Sequence, residues 1–514
     1  MTKTTPHVKS AFISSRAALL ASCAVAASVA AAPAFAAKTS AGTLFLASSR
    51  YAGKAKTIAV GEPLPITPTA DAIANGAYPT VFQNDTVDGN FGITAPIELE
   101  GYKVTTTGTG LEVGGTTVRT DVTNVTGVVT SFSSKSELSL HLSTDGSALT
   151  FMGYLGSLNA IDLSDSNTPG NYDPTNSDIA PSTFRTVVQY NLGSASFSTT
   201  PTNGYSGNNG RGAILAANVN GSGTDEYLMV GNGGNGSGIP ATNVVDDTGV
   251  QSITLGAGPT TTVIGAQQGT PGQKDGFEFG FSVVSLGDPA DKSGKDDNFR
   301  GSTIYNNTLY VTKGSGGNGV NTVYQVGTAG TLPTAVTGAT TNITILPGFP
   351  TGLAANITET NPATEFYPFG LYFANATTLY VADEGSQDLN ADPNAGLQKW
   401  IFNGTTWNLA YTIQAGLNLD QPYTVPNYPS NVSPATTGLR HITGVVNGNQ
   451  VTIFATTSTF SNLGDPGADP NSVVQIVDDL DATTLPAGES FSTLRPAAAG
   501  VVYRGVAFVP AAAP

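Results

Sequence analysis

Thr378-Leu379-Tyr380-Val381-Ala382-Asp383 is a short β-rich run that breaks at once into a loop beginning Glu384-Gly385-Ser386, and the chain repeats this design. The same pattern appears as Thr43-Leu44-Phe45-Leu46-Ala47-Ser48, Ala148-Leu149-Thr150-Phe151-Met152-Gly153, Glu226-Tyr227-Leu228-Met229-Val230-Gly231, Thr308-Leu309-Tyr310-Val311-Thr312-Lys313 and Val451-Thr452-Ile453-Phe454-Ala455-Thr456. Each run is too apolar on both faces for a solvated hairpin. The runs are therefore expected to be inner strands, buried between neighbouring sheets.

Most of them follow another strand across a tight polar turn. Thr144-Asp145-Gly146-Ser147, Asn218-Val219-Asn220-Gly221, Asn306-Asn307, Asn375-Ala376-Thr377 and Asn447-Gly448-Asn449 are hairpin chemistry, because Asn, Asp and Gly tolerate positive φ. A third strand follows, as in Thr186–Tyr190, Thr322–Val326, Leu397–Ile401 and Val473–Val477, and Trp407–Tyr411 reads as a fourth. Four antiparallel strands per repeated unit is the sequence form of a propeller blade.

The two ends complete one another. Arg504-Gly505-Val506-Ala507-Phe508 looks like a first strand with no blade after it, and Thr43–Ser48 like a second strand with no first before it. Pairing them closes a ring and leaves no free sheet edge. The expected fold is an all-β propeller of six or seven four-stranded blades over residues 37–514, with the interval Ile93 to Ser134 long enough to hold a seventh. A β-helix or two sandwich domains are the rivals. The unit is too long for a β-helix coil, and a sandwich does not predict matching ends.

Residues 1–36 read as a signal peptide: Lys3, Lys9 and Arg16 precede an apolar run, and Ala34-Phe35-Ala36 is a small-x-small cleavage site. Export to the periplasm or the extracellular space is the expectation. The competing reading is a lipoprotein through Leu20-Ala21-Ser22-Cys23, but cleavage there leaves too short an apolar region after Arg16. Cys23 is the only cysteine, so the cleaved chain has no disulfide or thiolate metal site. No later stretch reaches the ~18 apolar residues of a membrane helix.

The formal charge of −16 becomes more negative when the leader's three basic residues are lost, which argues against nucleic acid as a partner. The expected partner is a small anionic or saccharide ligand, and the expected state is a monomer. Long loops fall on one face of such a ring, and that face is where binding residues are expected.

At the ends of the blade-to-blade loops an Arg recurs: Arg211-Gly212, Arg300-Gly301, Arg440-His441 and Arg504-Gly505, with Phe369-Gly370 breaking the pattern. Radial repetition brings these arginines toward a common axis. There they would either bind a carboxylate, phosphate or sulfate by forked hydrogen bonds or bridge neighbouring blades. Lys313, Asp383 and Glu384, at second-strand ends, differ from blade to blade as an asymmetric ligand site requires. Asp383 and Glu384 are adjacent on a strand, so only one is expected to point inward.

No catalytic set is assigned; His441, Asp383 and Glu384 are the candidates. Asp388, Asn390 and Asp392 place oxygen ligands at alternating positions, as a calcium loop begins, although Pro393 stands where that loop wants Gly. Calcium is accordingly the one cofactor considered. Serine-hydrolase, phosphate-loop and zinc-helix motifs are absent from the sequence.

Asn208-Asn209-Gly210-Arg211, Asn298-Phe299-Arg300-Gly301, Lys313-Gly314-Ser315-Gly316-Gly317-Asn318 and Thr378 to Gly385 resemble units of secreted bacterial β-propeller proteins of unassigned function. The resemblance covers most of the mature chain and implies export and a propeller fold, with no reaction attached. Three functions follow as alternatives: a binding propeller without catalysis, a calcium-dependent hydrolase of the phytase or lactonase sort, and a structural or adhesive surface protein. A quinone-dependent dehydrogenase is disfavoured, because the Trp-containing blade signature of that family is missing.

Overall fold

The Thr378–Asp383 run is the second strand of a four-stranded antiparallel sheet made of Pro368–Asn375, Thr378–Asp383, Gly396–Phe402 and Trp407–Ile413. In the computed structural model, which describes residues 40–51, 93–107, 110–132, 134–160, 163, 185–205, 208–233, 248–265, 297–317, 319–357, 364–386, 389–390, 392–462 and 467–511, this is blade 5 of six. The expected leader, Cys23 and Asp388 lie outside the described residues.

Blade 3 is Gly210–Ala216, Glu226–Gly231, Gly249–Thr254 and Thr262–Ile264; blade 4 is Ser302–Tyr305, Thr308–Lys313, Thr322–Val326 and Ile343–Ile345. Blade 6 is Ala435–Asn447, Gln450–Phe460, Val473–Asp479 and Ser492–Arg495. Blade 1 joins the two ends: Val501–Pro510 is its first strand, followed by Ser40–Arg50, Ile97–Thr107 and Gly110–Asp121. Leu44 pairs with Phe508 and Phe45 with Ala507, so the C-terminal strand closes the blade that the N-terminal strand begins.

Side-chain alternation along the second strands explains why their apolar runs are continuous. Leu44 and Leu46 pack with Phe454 and Val473 of blade 6, whereas Phe45 and Ala47 pack with Leu149, Phe151 and Val188 of blade 2. In blade 5, Leu379 and Val381 face blade 4 with Val323, while Tyr380 and Ala382 face blade 6 with Val451 and Ile453. Two further clusters join blade 2 to blade 3 around Met152 and Tyr227, and blade 3 to blade 4 around Leu228 and Val311. Every neighbouring pair of blades thus shares an apolar seam, and each Leu or Phe in it contributes about 1.5–3 kcal/mol over an exposed position. The core is a set of inter-blade layers, and the ring is held shut by all of them together.

Blade 2 departs from the pattern. Its outer strands are regular, Ala148–Leu155, Arg185–Asn191 and Ser196–Thr202, but two short pieces, Val128–Ser131 and His141–Leu142, share the inner edge of Ala148–Leu155. Between them Phe132 and residues 134–140 leave the strand line. The interval suspected of hiding a seventh blade therefore supplies the outer half of blade 1 and half of the inner strand of blade 2. The short turns behave as their residues require, and Asn306 and Asn307 carry φ of 46° and 54°.

Candidate functional site

The inner ends of the blades meet in one layer of the axis. Ser139 of blade 2 bridges Gly212 of blade 3, and a Cβ on Gly505 of blade 1 would lie 2.3 Å from the Leu138 carbonyl oxygen of blade 2. A Cβ on Gly301 of blade 4 would lie 1.9 Å from the Phe369 carbonyl oxygen of blade 5, and one on Gly370 would lie 2.5 Å from that of Arg440 in blade 6. Close backbone approach thus dictates glycine after the recurring Arg or Phe. Gly505, Ser139, Gly212, Gly301, Gly370 and His441 form a ring in which blades 2 and 6 alone carry side chains beyond Cα.

One residue earlier, in the four blades other than 2 and 5, stands the arginine tier, at the end of the axis that receives the blade-to-blade loops. All four arginines are buried. Arg211 donates from Nε to Ser136 Oγ at 3.2 Å, on the blade 2 side, and from Nη1 to Asn298 and the Phe299 carbonyl, on the blade 4 side. Arg300 donates from Nε to Ser315 Oγ at 2.7 Å and lies 5.9 Å from the Phe369 ring. Arg440 Nε meets Glu384 Oε2 at 3.0 Å. Arg504 donates from Nη2 to the Phe132 carbonyl, while its Nε and Nη1 are buried and have no hydrogen-bond partner among the described residues.

The charges of this tier act on one another. Burial presses the Arg211 guanidinium well below its usual pKa, Arg300 adds to this, and Glu384 and Glu137 oppose it. Burial likewise brings Arg504 down to about 10, opposed by Glu137 and reinforced by Arg440. The Arg504 guanidinium keeps its charge at neutral pH. Glu137 is fully buried and accepts from Thr130 Oγ1 at 2.6 Å, from the Ser131 amide at 3.1 Å and from the Tyr154 hydroxyl; burial still raises its pKa. Among the described residues, Glu384 and Glu137 act on Arg211, and Glu137 acts on Arg504.

Asp383 and Glu384 divide as adjacent strand residues must. Glu384 turns to Arg440, whereas Asp383 turns into its own blade, accepting from the amides of Gly385 and Tyr367 at 2.9 Å each. Burial, then Asp392, lifts the Asp383 pKa well above the carboxylate range. Lys313 is fully buried and donates to the Ser315 carbonyl and Asn321 Oδ1, each at 3.0 Å. Asp392 Oδ1 accepts the amides of Asn394 and Ala395, the turn chemistry of an Asp-Pro start. Asn390 is exposed, and among the described residues no group of three or more His, Cys, Asp or Glu gathers as a metal centre would.

Sequence reasoning looked only to the loop end, and the opposite half of the axis holds what it missed. A cavity of about 390 Å³ runs from the glycine layer toward Thr144 and Pro510 at the short-turn end. Ser139, His141, Ser302, Tyr372, His441 and Thr443 are among its walls, and no charged side chain lines it among the described residues. The Ser139 hydroxyl and His141 Nε2 are 2.8 Å apart. Burial pushes His141 down to about 4 and His441 well below its usual value, the latter helped by His141, Arg440 and Arg504. Both imidazoles are therefore neutral at pH 7. The signal available in the sequence was His441 at a position where four other blades have glycine.

The strand pairing and the six shared seams define the class: a six-bladed β-propeller closed by its two terminal strands. No family model and no curated protein sequence matches the chain. Among solved structures it is similar to the periplasmic gluconolactonase of Pseudomonas aeruginosa, at 10% identity and a TM-score of 0.36 over 91% of this chain and 99% of that one. It is similar also to the GH74 enzyme of Niastella koreensis, at 10% identity and a TM-score of 0.31 over 78% of this chain and 44% of that one. The chain thus spans less than half the length of the GH74 enzyme. Likenesses at these scores carry no argument about activity. No helix among the described residues is long and apolar enough to cross a membrane.

Proposed function

We propose that this chain is an exported binding propeller that takes a small anionic ligand, such as a carboxylate, phosphate or acidic saccharide, at the arginine tier. The observation that carries the reading is Arg504: two of its buried nitrogens lack partners among the described residues, in a tier that also gathers the buried guanidiniums of Arg211, Arg300 and Arg440. Buried guanidinium N–H groups are costly to leave unbonded, and a small oxyanion, whose oxygens accept from charged N–H donors, is the kind of ligand that would satisfy them. The leader sequence supports export, which mass spectrometry of the processed N-terminus tests.

Thermal shift with phosphate, sulfate and glucuronate tests the binding. A rise in melting temperature that saturates with one of them, and that Arg504→Gln abolishes, is the expected result. The proposal is overturned if Arg300→Gln, Arg440→Gln and Arg504→Gln variants that still fold respond to these anions as the parent does; the tier then serves the blade junctions alone. A screen of phosphoesters and lactones on the same protein reads whether binding is followed by turnover.

A further inference from the structure

The short-turn half of the axis is chemically unlike the arginine tier above it. Two buried polar side-chain atoms, His441 Nε2 and Ser302 Oγ, have no hydrogen-bond partner among the described residues, and both residues stand in the cavity wall. They come from blades 6 and 4. Ser139, His141, Tyr372 and Thr443, from blades 2, 5 and 6, add further hydroxyl and imidazole groups to the same space.

We propose that this axial cavity is a second binding site, for a neutral polyhydroxylated molecule of monosaccharide size. Charge decides against an ion: the wall has no charged side chain among the described residues, and its two imidazoles are uncharged at neutral pH, so nothing in it repays the desolvation of an anion or cation. Hydrogen-bonding capacity decides against a hydrocarbon, because Ser139, His141, Tyr372, His441 and Thr443 give the wall a largely polar lining that an apolar guest would desolvate without bonding. Hydroxyls donate and accept, and neutral imidazole does one at each nitrogen, so the wall complements a guest whose groups also do both. Apolar patches from Ile214, Leu371 and Phe508 supply the surface on which the C–H faces of a sugar ring rest. A volume of about 390 Å³ is at the small end of ligand pockets, which sets the size of the guest.

The site is independent of the arginine tier, and its test uses different probes and residues. Calorimetric titration of the full chain with glucose, xylose and glycerol reads it directly. The expected result is saturable binding of at least one neutral probe, weakened about tenfold by His441→Phe, which keeps an aromatic ring against Phe369 but removes the nitrogens. Ser302→Ala removes one hydroxyl and little volume, and is expected to weaken binding in the same direction if the histidine variant fails to fold. Absence of saturable binding by every neutral probe overturns the proposal and leaves a water-filled channel. Binding that both variants leave unchanged overturns it as well. None of these results bears on anion binding at Arg504.

Discussion

Lys399 Nζ lies 3.0 Å from Asp478 Oδ2, with neither side chain reaching solvent, and this pair pins blade 5 to blade 6. Lys399 also donates to the Tyr411 hydroxyl at 3.0 Å and to the Asp479 carbonyl at 2.6 Å, and Tyr411 donates to Asp478 Oδ1 at 2.6 Å. Tyr380 adds its hydroxyl to Asp478. Removing one partner of a buried pair strands the other, at a cost of about 3–5 kcal/mol. Lys399→Met is therefore expected to lower the free energy of unfolding by that amount in a urea titration. Lys103→Met, at an exposed strand position, is expected to change it by less than about 0.5 kcal/mol.

Glu489 stands at the edge of this network and gives it a pH dependence. Burial first, and the Asp478 carboxylate next, push its pKa up to about 8 from an unfolded value of 4.5, while the Asp479 amide and Lys399 pull the other way. Between those two values the folded protein holds a proton that the unfolded chain has released, so stability falls as pH rises. Melting temperature is expected to decline between about pH 5 and 8, and Glu489→Gln to flatten that decline. An unchanged slope in the variant assigns the titration to another group.

The glycine layer predicts a contrast between two Gly→Ala changes. At Gly301 the new methyl would meet the Phe369 carbonyl oxygen at 1.9 Å, which neighbouring backbone cannot yield cheaply; at Gly193 it would meet nothing within 4 Å. Gly301→Ala is expected to destabilise by at least about 1–3 kcal/mol, the range for overpacking. Gly193→Ala should leave the melting temperature close to that of the parent.

Ring closure rests on the terminal strand. Phe508 is buried against Leu44, Leu46 and Phe454, and Phe508→Ala is expected to cost about 3–5 kcal/mol in chemical denaturation. Deleting 501–514 exposes a long inner strand edge on blade 1, and gel filtration is expected to show more association than the parent does. A truncated chain that stays unassociated with an unchanged calorimetric transition would show that the four seams this strand does not enter suffice.

Much of the fold could be read residue by residue. The six apolar runs, the hairpin turns at Asn306-Asn307 and Asn447-Gly448, and the fit of Phe508 to Leu44 are all present in the structure, because period-two patterning and turn chemistry act over a few neighbouring residues. The outer strand Gly110–Asp121 was not recognised as such: its mostly exposed or half-buried Thr and Gly carry no buried-face signal, which left room for a seventh blade. The recurring arginines were visible, but their contacts were not. Arg211 reaches Ser136 and Phe299, far from it in sequence, and Glu137 enters their field from an irregular segment with no repeat signature.

Local chemistry, then, was enough to set strand type, turn position and the closing pair. Which atoms face one another across the axis depends on how six sheets are rotated about it, and that rotation is set by seams between residues distant in the chain. Ser139 and His441 share a layer with four glycines only because of it. The cavity they line exists at the level of the assembled ring, where side-chain volume is missing from successive blades at one height.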